Sequence, residues 1–146
     1  MAASKFPPAV LFACNLNRVR SPLAAALMRS FHGEAVRIES CGLARGPAAG
    51  EGDGLLTAVL AEAGLAGAEL PGRSFDDLAG ESFDVVVSLT REAHERATRA
   101  FGPKGSTLEF WPTNDPTEAS GSREMILSAY RQVRQALASR IRERFG

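Results

Sequence analysis

The sequence of 146 residues predicts an α/β fold with a three-layer α/β/α arrangement, in which a four-stranded parallel sheet lies between helices. Short apolar runs typical of strands alternate with longer segments whose apolar residues recur at helical spacing. The segments between the runs are long enough for the crossovers that parallel strands need. No repeat or linker-like segment interrupts this alternation, so residues 1–146 are expected to form one domain.

Four segments are predicted to be strands. Residues 9–13 form a short, continuous apolar run, as in a strand buried on both faces. Residues 36–40 alternate apolar or small side chains with charged ones, which is typical of a half-exposed strand at a sheet edge. Residues 83–89 give the strongest strand pattern because β-branched valines dominate it. A fourth strand is predicted over residues 107–111.

Five segments are predicted to be helices, from capping residues or from apolar residues three and four positions apart. Thr90 is well suited to cap a helix over residues 91–100, and Ser74 to cap a short helix ending at Leu78. Gly64 is placed to end the helix before it. The apolar stripes of the other helices consist of Leu23, Leu27 and Phe31; of Leu56, Val59, Leu60 and Ala63; and of Ile126, Tyr130, Val133, Leu137 and Ile141.

The composition restricts the classes of partner and cofactor. Seventeen basic and seventeen acidic residues balance, so nucleic acid and membrane surfaces are not expected partners. The first apolar stretch is too short for a secretory signal and no later one is long enough to cross a bilayer, so a cytoplasmic location is expected. Cys14 and Cys41 are expected to be thiols. With only two histidines beside them they lack the spacing of a zinc site, so neither a metal nor a cofactor is expected.

The segment between the first predicted strand and the first predicted helix has the composition of an anion-binding loop. It has the form Cys, five residues, Arg, Ser, and is followed by Pro22, which suits the first turn of a helix. A loop of this length at a helix amino terminus points backbone N–H groups at an anion, and the helix dipole adds positive potential. The residues predicted to bind phosphate are Asn15, Leu16, Asn17, Arg18, Val19, Arg20 and Ser21.

Side chains of this loop predict the chemistry of a phosphatase. Cys14 is the candidate nucleophile, because the field of the loop favours its thiolate form. The planar fork of Arg20 can hold two phosphate oxygens while the phosphorus becomes trigonal bipyramidal. Ser21 is expected either to cap the helix or to donate to the Cys14 sulfur. Asn17 is expected to support the loop through bonds to the backbone or to Ser40.

The chain resembles a known family over essentially its whole length. VLFACNLNRVRSPLAAALMRSF is similar to the amino-terminal strand, loop and helix of low-molecular-weight protein tyrosine phosphatases, which share their fold with thioredoxin-coupled arsenate reductases. Residues 40–42 resemble the family's Ser-Ala-Gly turn, and Arg73 an arginine before its third helix. Asp115 and Pro116 resemble its acidic loop, although residues 114–117 are by themselves also typical of a simple turn. The resemblance implies that Asp115 protonates the leaving group and then activates water against phosphorylated Cys14.

Several loop positions depart from the family's pattern. Leu16 stands where the family usually has glycine, and Val19 where tyrosine phosphatases commonly have a second cysteine. A disulfide between positions 14 and 19 is therefore excluded. Arg18 either adds positive charge at the pocket mouth or is a solvated side chain.

Positions that carry aromatic residues in tyrosine-specific members also differ. Thr117 and Glu118 follow the Asp-Pro pair, and Gly46 stands where an aromatic residue is expected. An aryl phosphate would find less stacking surface here, and Glu118 would repel an acidic peptide. The expected partners are a phosphorylated protein or a small phosphomonoester, with phosphate as product and inhibitor.

Two alternative functions stay open at this point. An arsenate reductase would use the same anion loop but needs resolving cysteines, and only Cys41 could supply one, either as a redox partner of Cys14 or as a small buried residue. A catalytically weak oxyanion-binding module would keep the loop without efficient turnover. Such a module would not need the acid Asp115.

Overall fold

The computed structural model describes residues 7–44, 54–65 and 72–146. They form a four-stranded sheet with the order β2-β1-β3-β4, in which all neighbouring strands are parallel. The strands are β1 (Ala9–Cys14), β2 (Arg37–Gly42), β3 (Val85–Ser88) and β4 (Thr107–Phe110). The helices are α1 (Arg20–His32), α2 (Leu55–Glu62), α3 (Arg91–Phe101) and α4 (Arg123–Phe145), with short 3-10 helices at Phe75–Leu78, Gly102–Lys104 and Pro116–Glu118. The predicted fold class is confirmed.

Helices cover both faces of the sheet, because alternate residues of the buried strands point to opposite sides. Val10 and Phe12 belong to a core shared with α1, α2 and α4, whereas Leu11 and Ala13 belong to a second core shared with α3. β1 lies inside the sheet, with β2 on one side and β3 on the other. From β1 the chain crosses to β2 on one side, and from β2 it returns to β3 on the other side of β1. This change of direction leaves a crevice at the carboxyl end of β1, where ligands bind in open α/β sheets.

The boundaries of the elements differ slightly from those predicted. α1 begins at Arg20, two residues before Pro22, because the N–H of Leu23 already donates to the Val19 carbonyl at 2.9 Å. Pro22 is tolerated there since a residue in the first helical turn needs no intrahelical N–H bond. β1 extends to Cys14, whereas β3 is shorter than residues 83–89.

Two predicted caps are present, and Gly64 ends the preceding helix as predicted. Thr90 accepts a bond from Ala93 N at 3.1 Å, and Ser74 N donates to Asp77 Oδ2 at 2.8 Å, so both residues start their helices as predicted. α2 ends at Glu62, and Ala63 is exposed rather than part of the buried stripe. Gly64 follows in the left-handed conformation, with φ 70°.

The loop predicted over residues 42–54, with Gly46, lies mostly outside the described residues. None of the helices that the structure describes combines the length and apolar composition needed to cross a membrane.

Candidate active site

The loop from Cys14 to Ser21 connects the carboxyl end of β1 to the amino terminus of α1. It rests against the end of β2, where Leu43 N donates to the Asn15 carbonyl at 2.8 Å. Gly42 permits this approach, because a Cβ there would lie 2.6 Å from Asn17 N and 2.8 Å from Asn15 O. The glycine at the end of β2 therefore lets the loop pack directly on the neighbouring strand.

Asn17 holds the middle of the loop from behind. It has φ 53°, a left-handed conformation that asparagine tolerates better than most residues. Its buried side chain donates to Ser21 Oγ and Ser40 Oγ, both at 2.9 Å, and accepts from Arg73 N at 2.9 Å. The bond to Ser40 is one of the contacts that the sequence predicted. All polar hydrogens of the amide and its oxygen are thus used to join three segments of the chain.

Ser21 contacts the sulfur of Cys14 instead of capping α1. Its Oγ lies 3.0 Å from Cys14 Sγ and 3.2 Å from the Cys41 carbonyl. The capping alternative is wrong, because Ser21 is already inside α1, and Val19, the residue before the helix, has no side-chain cap bond. Since Asn17 donates to Ser21 Oγ, the hydroxyl proton remains for one of the other two partners. A thiolate at Cys14 would attract that proton.

Arg20 and Asp115 meet across the mouth of the loop. Arg20 Nη1 donates to the Thr113 carbonyl at 3.0 Å, and Nη2 lies 3.7 Å from Asp115 Oδ2. The other carboxylate oxygen accepts from Thr117 N at 2.9 Å and from Thr117 Oγ1 at 2.6 Å. The side chain of Asp115 is 28% exposed. The carboxylate is oriented by neighbours and still reaches solvent, as a group that exchanges protons must.

One cavity of about 320 Å³ brings the candidate catalytic residues together. Cys14, Arg20 and Asp115 all line it, although Asp115 lies 95 residues beyond Arg20 in sequence. Asn17, Ser21 and Ser40 do not line the cavity and lie behind the loop. The remaining lining residues are Asn15, Leu16, Arg18, Val19 and Thr117.

Thr90 makes a contact with the loop that the sequence did not predict. Its hydroxyl donates to Asn15 Oδ1 at 2.7 Å while its oxygen caps α3. The capping pattern placed Thr90 at the start of a helix, but only the packing of β3 beside β1 brings that helix start to Asn15. The amino terminus of α3 is thereby joined to the anion loop.

Cys41 lies on the other side of the sheet from Cys14. In the parallel register Cys41 is level with Ala13 and Cys14 is level with Gly42, so the two thiol side chains point to opposite faces. Cys41 is fully buried in the second core. Burial raises the pKa of its thiol, and the neighbouring Cys14 adds to the effect. The position of Cys41 therefore does not support the hypothesis of a redox pair with Cys14. It agrees with the alternative hypothesis that Cys41 is a small buried residue.

The two histidines do not take part in the cavity. His32 Nε2 lies 2.7 Å from the Gly146 carbonyl, and the ring of His94 stacks on Phe110 with 5.4 Å between centroids. Neither residue lines the cavity around Cys14. Within residues 7–44, 54–65 and 72–146, no group of three His, Cys, Asp or Glu residues could hold a metal ion.

Comparison with known proteins links this chain to one family. The model of the family described as low molecular weight phosphotyrosine protein phosphatase matches residues 9–144. No curated protein matches the chain in sequence.

Solved structures with the same fold include phosphatases and a reductase. YwlE arginine phosphatase from Geobacillus stearothermophilus is 23% identical, with a TM-score of 0.75 over 93% of this chain and 89% of that one. The tyrosine phosphatase Wzb from Escherichia coli K30, in complex with sulphate, is 21% identical, with a TM-score of 0.73 over 97% and 100%. Arsenate reductase from Archaeoglobus fulgidus is 22% identical, with a TM-score of 0.69 over 94% and 98%. At these identities the likeness shows a shared fold.

Proposed function

The chain belongs to the low molecular weight phosphotyrosine protein phosphatase family, and on this premise we propose that it hydrolyses phosphate monoesters through a phosphocysteine intermediate. The observation that carries the proposal is the shared cavity of Cys14, Arg20 and Asp115. A nucleophile, a bidentate cation and a carboxyl group are the three components that this reaction requires. A binding module without turnover would have no use for the carboxyl group.

The reaction proceeds in two displacements. The thiolate of Cys14 attacks phosphorus, the bond to the ester oxygen breaks, and protonated Asp115 gives its proton to that oxygen. The Asp115 carboxylate then takes a proton from water as the water oxygen attacks phosphocysteine. Inorganic phosphate leaves, and Cys14 is again a thiolate.

Arg20 and the loop stabilise charge during both displacements. With the described part of the chain the guanidinium of Arg20 forms one short hydrogen bond, to the Thr113 carbonyl, so it has further N–H groups to donate to phosphate oxygens. Backbone N–H groups of the loop and the amino terminus of α1 provide the remaining positive potential. Asn17, Ser21 and Ser40 keep the loop in place, and Ser21 donates to the thiolate when it is the leaving group.

Hydrolysis of p-nitrophenyl phosphate tests this proposal. Wild type is expected to show a burst of p-nitrophenol followed by turnover, and Cys14→Ser to show neither. Asp115→Asn is expected to slow hydrolysis by about 100-fold or more for alkyl phosphates, which need leaving-group protonation, and much less for p-nitrophenyl phosphate. Wild type without burst or turnover between about pH 5 and pH 8 would overturn the proposal.

The proposed substrates are a phosphorylated protein or a small phosphomonoester, and inorganic phosphate is both product and competitive inhibitor. Structural relatives carry the names arginine phosphatase and tyrosine phosphatase. Among the described residues, the cavity is lined by no aromatic side chain that would favour an aryl ester by stacking. We therefore do not assign phosphotyrosine as the preferred substrate.

Arsenate reduction is disfavoured by the position of the thiols. Residues 89–100, which follow β3, contain no cysteine, and Cys41 points to the face of the sheet opposite Cys14. Arsenate-dependent loss of thiol that disappears in Cys41→Ser would reverse this conclusion.

Because a thiol nucleophile must stay reduced, we propose that the protein acts in the cytoplasm, in keeping with its two free cysteines.

A further inference from the structure

Two arginines line the cavity, and they differ in their partners. Arg20 is engaged by Thr113 and Asp115. Arg18 also lines the cavity and is only partly exposed, yet it forms no hydrogen bond, ion pair or ring contact with the residues that the structure describes. Elsewhere in those residues carboxylates pair with arginines: Arg37, Arg73, Arg96, Arg131, Arg134 and Arg144.

The carboxylate that lines this cavity, Asp115, already has hydrogen-bond and ion-pair partners. One of its oxygens accepts two bonds from Thr117 and the other faces Arg20. Glu118 is exposed and lines an adjacent cleft, not the one that contains Arg18. Among the described residues, the charged lining of the cavity therefore consists of two cations and one anion. A guanidinium in a partly desolvated wall is stabilised when a carboxylate or phosphate meets it.

We propose that Arg18 is a specificity-determining residue that binds a second anionic group on the same substrate molecule. This inference rests on the proposed phosphatase function. Arg20 and the loop N–H groups serve the reacting phosphoryl group, which leaves Arg18 for a carboxylate or another phosphate close to the ester. Leu16, which is 47% exposed and lines the same cavity, offers apolar contact to the body of the substrate between the two anions. A cationic group at that place would be repelled.

The second anionic group can belong to a small molecule or to a protein, and one pair of substrates tests each of these two sources. For a small molecule the pair is 3-carboxyphenyl phosphate and its neutral methyl ester. For a protein the pair is a phosphopeptide with glutamate beside the phosphorylated residue and the same peptide with glutamine. The quantity measured is the ratio of kcat/KM within a pair, so that a variant's general loss of activity cancels.

Wild type is expected to prefer the anionic member of at least one pair by about tenfold, which is typical of a charge-assisted hydrogen bond. The preference should vanish in Arg18→Gln, survive in part in Arg18→Lys, and persist in Arg99→Gln, which removes the same charge from an exposed site on α3. Raising the salt concentration from about 0.05 M to 0.5 M should weaken the preference of wild type, a readout that needs no variant.

The outcomes separate this inference from the proposed function. A preference in the small-molecule pair alone or in the peptide pair alone supports the role of Arg18 and identifies the source of the anion. Ratios near one in both pairs with an active wild type, or a preference that Arg18→Gln retains, overturn the role of Arg18 and leave the phosphatase proposal intact. A wild type that hydrolyses neither these substrates nor p-nitrophenyl phosphate overturns both.

Discussion

The anion loop and the acid segment, residues 113–118, form opposite walls of the cavity and are held in different ways. Partners from distant parts of the chain fix the loop: Asn17 contacts β2 and Arg73, and Asn15 contacts the start of α3. Asp115 is held mainly by Thr117, two residues away, and by Arg20 at 3.7 Å.

The anion loop is also more deeply buried than the acid segment. Asn17 and Ser21 are buried, whereas Asp115 is partly exposed and also lines a larger cleft, of about 540 Å³, between the acid segment and α4. A loop that binds the phosphoryl group in several charged states must keep its shape throughout the reaction. The acid must instead exchange protons and admit the substrate. The difference implies that substitutions behind the loop cost both stability and activity, and that substitutions in the acid segment cost activity alone.

Asn17→Ala is expected to have the largest effect among the supporting residues. It removes three hydrogen bonds, one buried and two partly buried, so the free energy of unfolding should fall by about 2–3 kcal/mol. Misplacement of the loop should lower kcat/KM for p-nitrophenyl phosphate by about 100-fold. Urea denaturation and steady-state kinetics measure both effects. Asn114→Ala, an exposed asparagine of the acid segment, is the matched control, and equal losses in the two variants would contradict the comparison.

Gly42→Ala tests the close approach between the loop and β2. The added methyl group would meet backbone atoms of Asn17, Asn15 and Leu16 within 2.8 Å, so the loop must shift. We expect a loss of about 1–3 kcal/mol of stability together with reduced activity. Gly80→Ala is the control, because apart from its chain neighbours no atom of the described residues lies within 4 Å of its added methyl group. Thermal unfolding that is the same for both variants would show that the loop does not depend on this contact.

Thr117→Val tests whether the acid segment depends on its local contact. Loss of the hydroxyl bond to Asp115 should lower kcat by about threefold to tenfold for alkyl phosphates and less for p-nitrophenyl phosphate, because only poor leaving groups need the proton. Thr117→Ser should restore activity. Stability should change by less than about 0.5 kcal/mol, as in the exposed control Thr107→Val. A loss of stability as large as that of Asn17→Ala would remove the contrast between the two regions.

Cys41→Ala is expected to have the smallest effect on activity, within about threefold of wild type, because its side chain faces away from the cavity. Iodoacetamide should label Cys14 in the native protein and Cys41 only after unfolding. Rapid labelling of native Cys41, or activity lost with its side chain, would contradict the assignment of the two thiols to opposite faces.

The buried thiol of Cys41 should also make the free energy of unfolding depend on pH. Burial raises the pKa of Cys41 in the folded protein, so the contribution of the protonated thiol is present below its unfolded pKa of about 9 and is lost as the pH rises above that value. Wild type should therefore lose more stability than Cys41→Ala between about pH 8 and pH 10, as measured by urea denaturation. An identical pH dependence would show that the thiol ionises as easily in the folded state.

Local patterns were sufficient for the order of the elements and for the anion loop. The buried run before Cys14, the arginine six residues later and the start of a helix are all properties of one short segment. Likewise, Thr90 accepts from a backbone N–H three residues away and Ser74 pairs with Asp77 three residues away, so their roles at helix starts follow from sequence spacing. The Ser21 prediction left two options because a hydroxyl at a helix start can reach either a backbone group or a side chain.

Tertiary structure decided which distant groups meet. The contacts of Asn15 with Thr90 and of Arg20 with Asp115 join residues more than 70 positions apart, and the register between β1 and β2 decides which face carries Cys41. The sequence by itself determined a thiol and an arginine in an anion loop, because the strand end, the loop and the helix start are contiguous in one short segment. Only the packing of β3 and the acid segment beside that loop decided that a carboxyl group lines the same cavity as the thiol and that Arg18 has no partner among the residues that the structure describes.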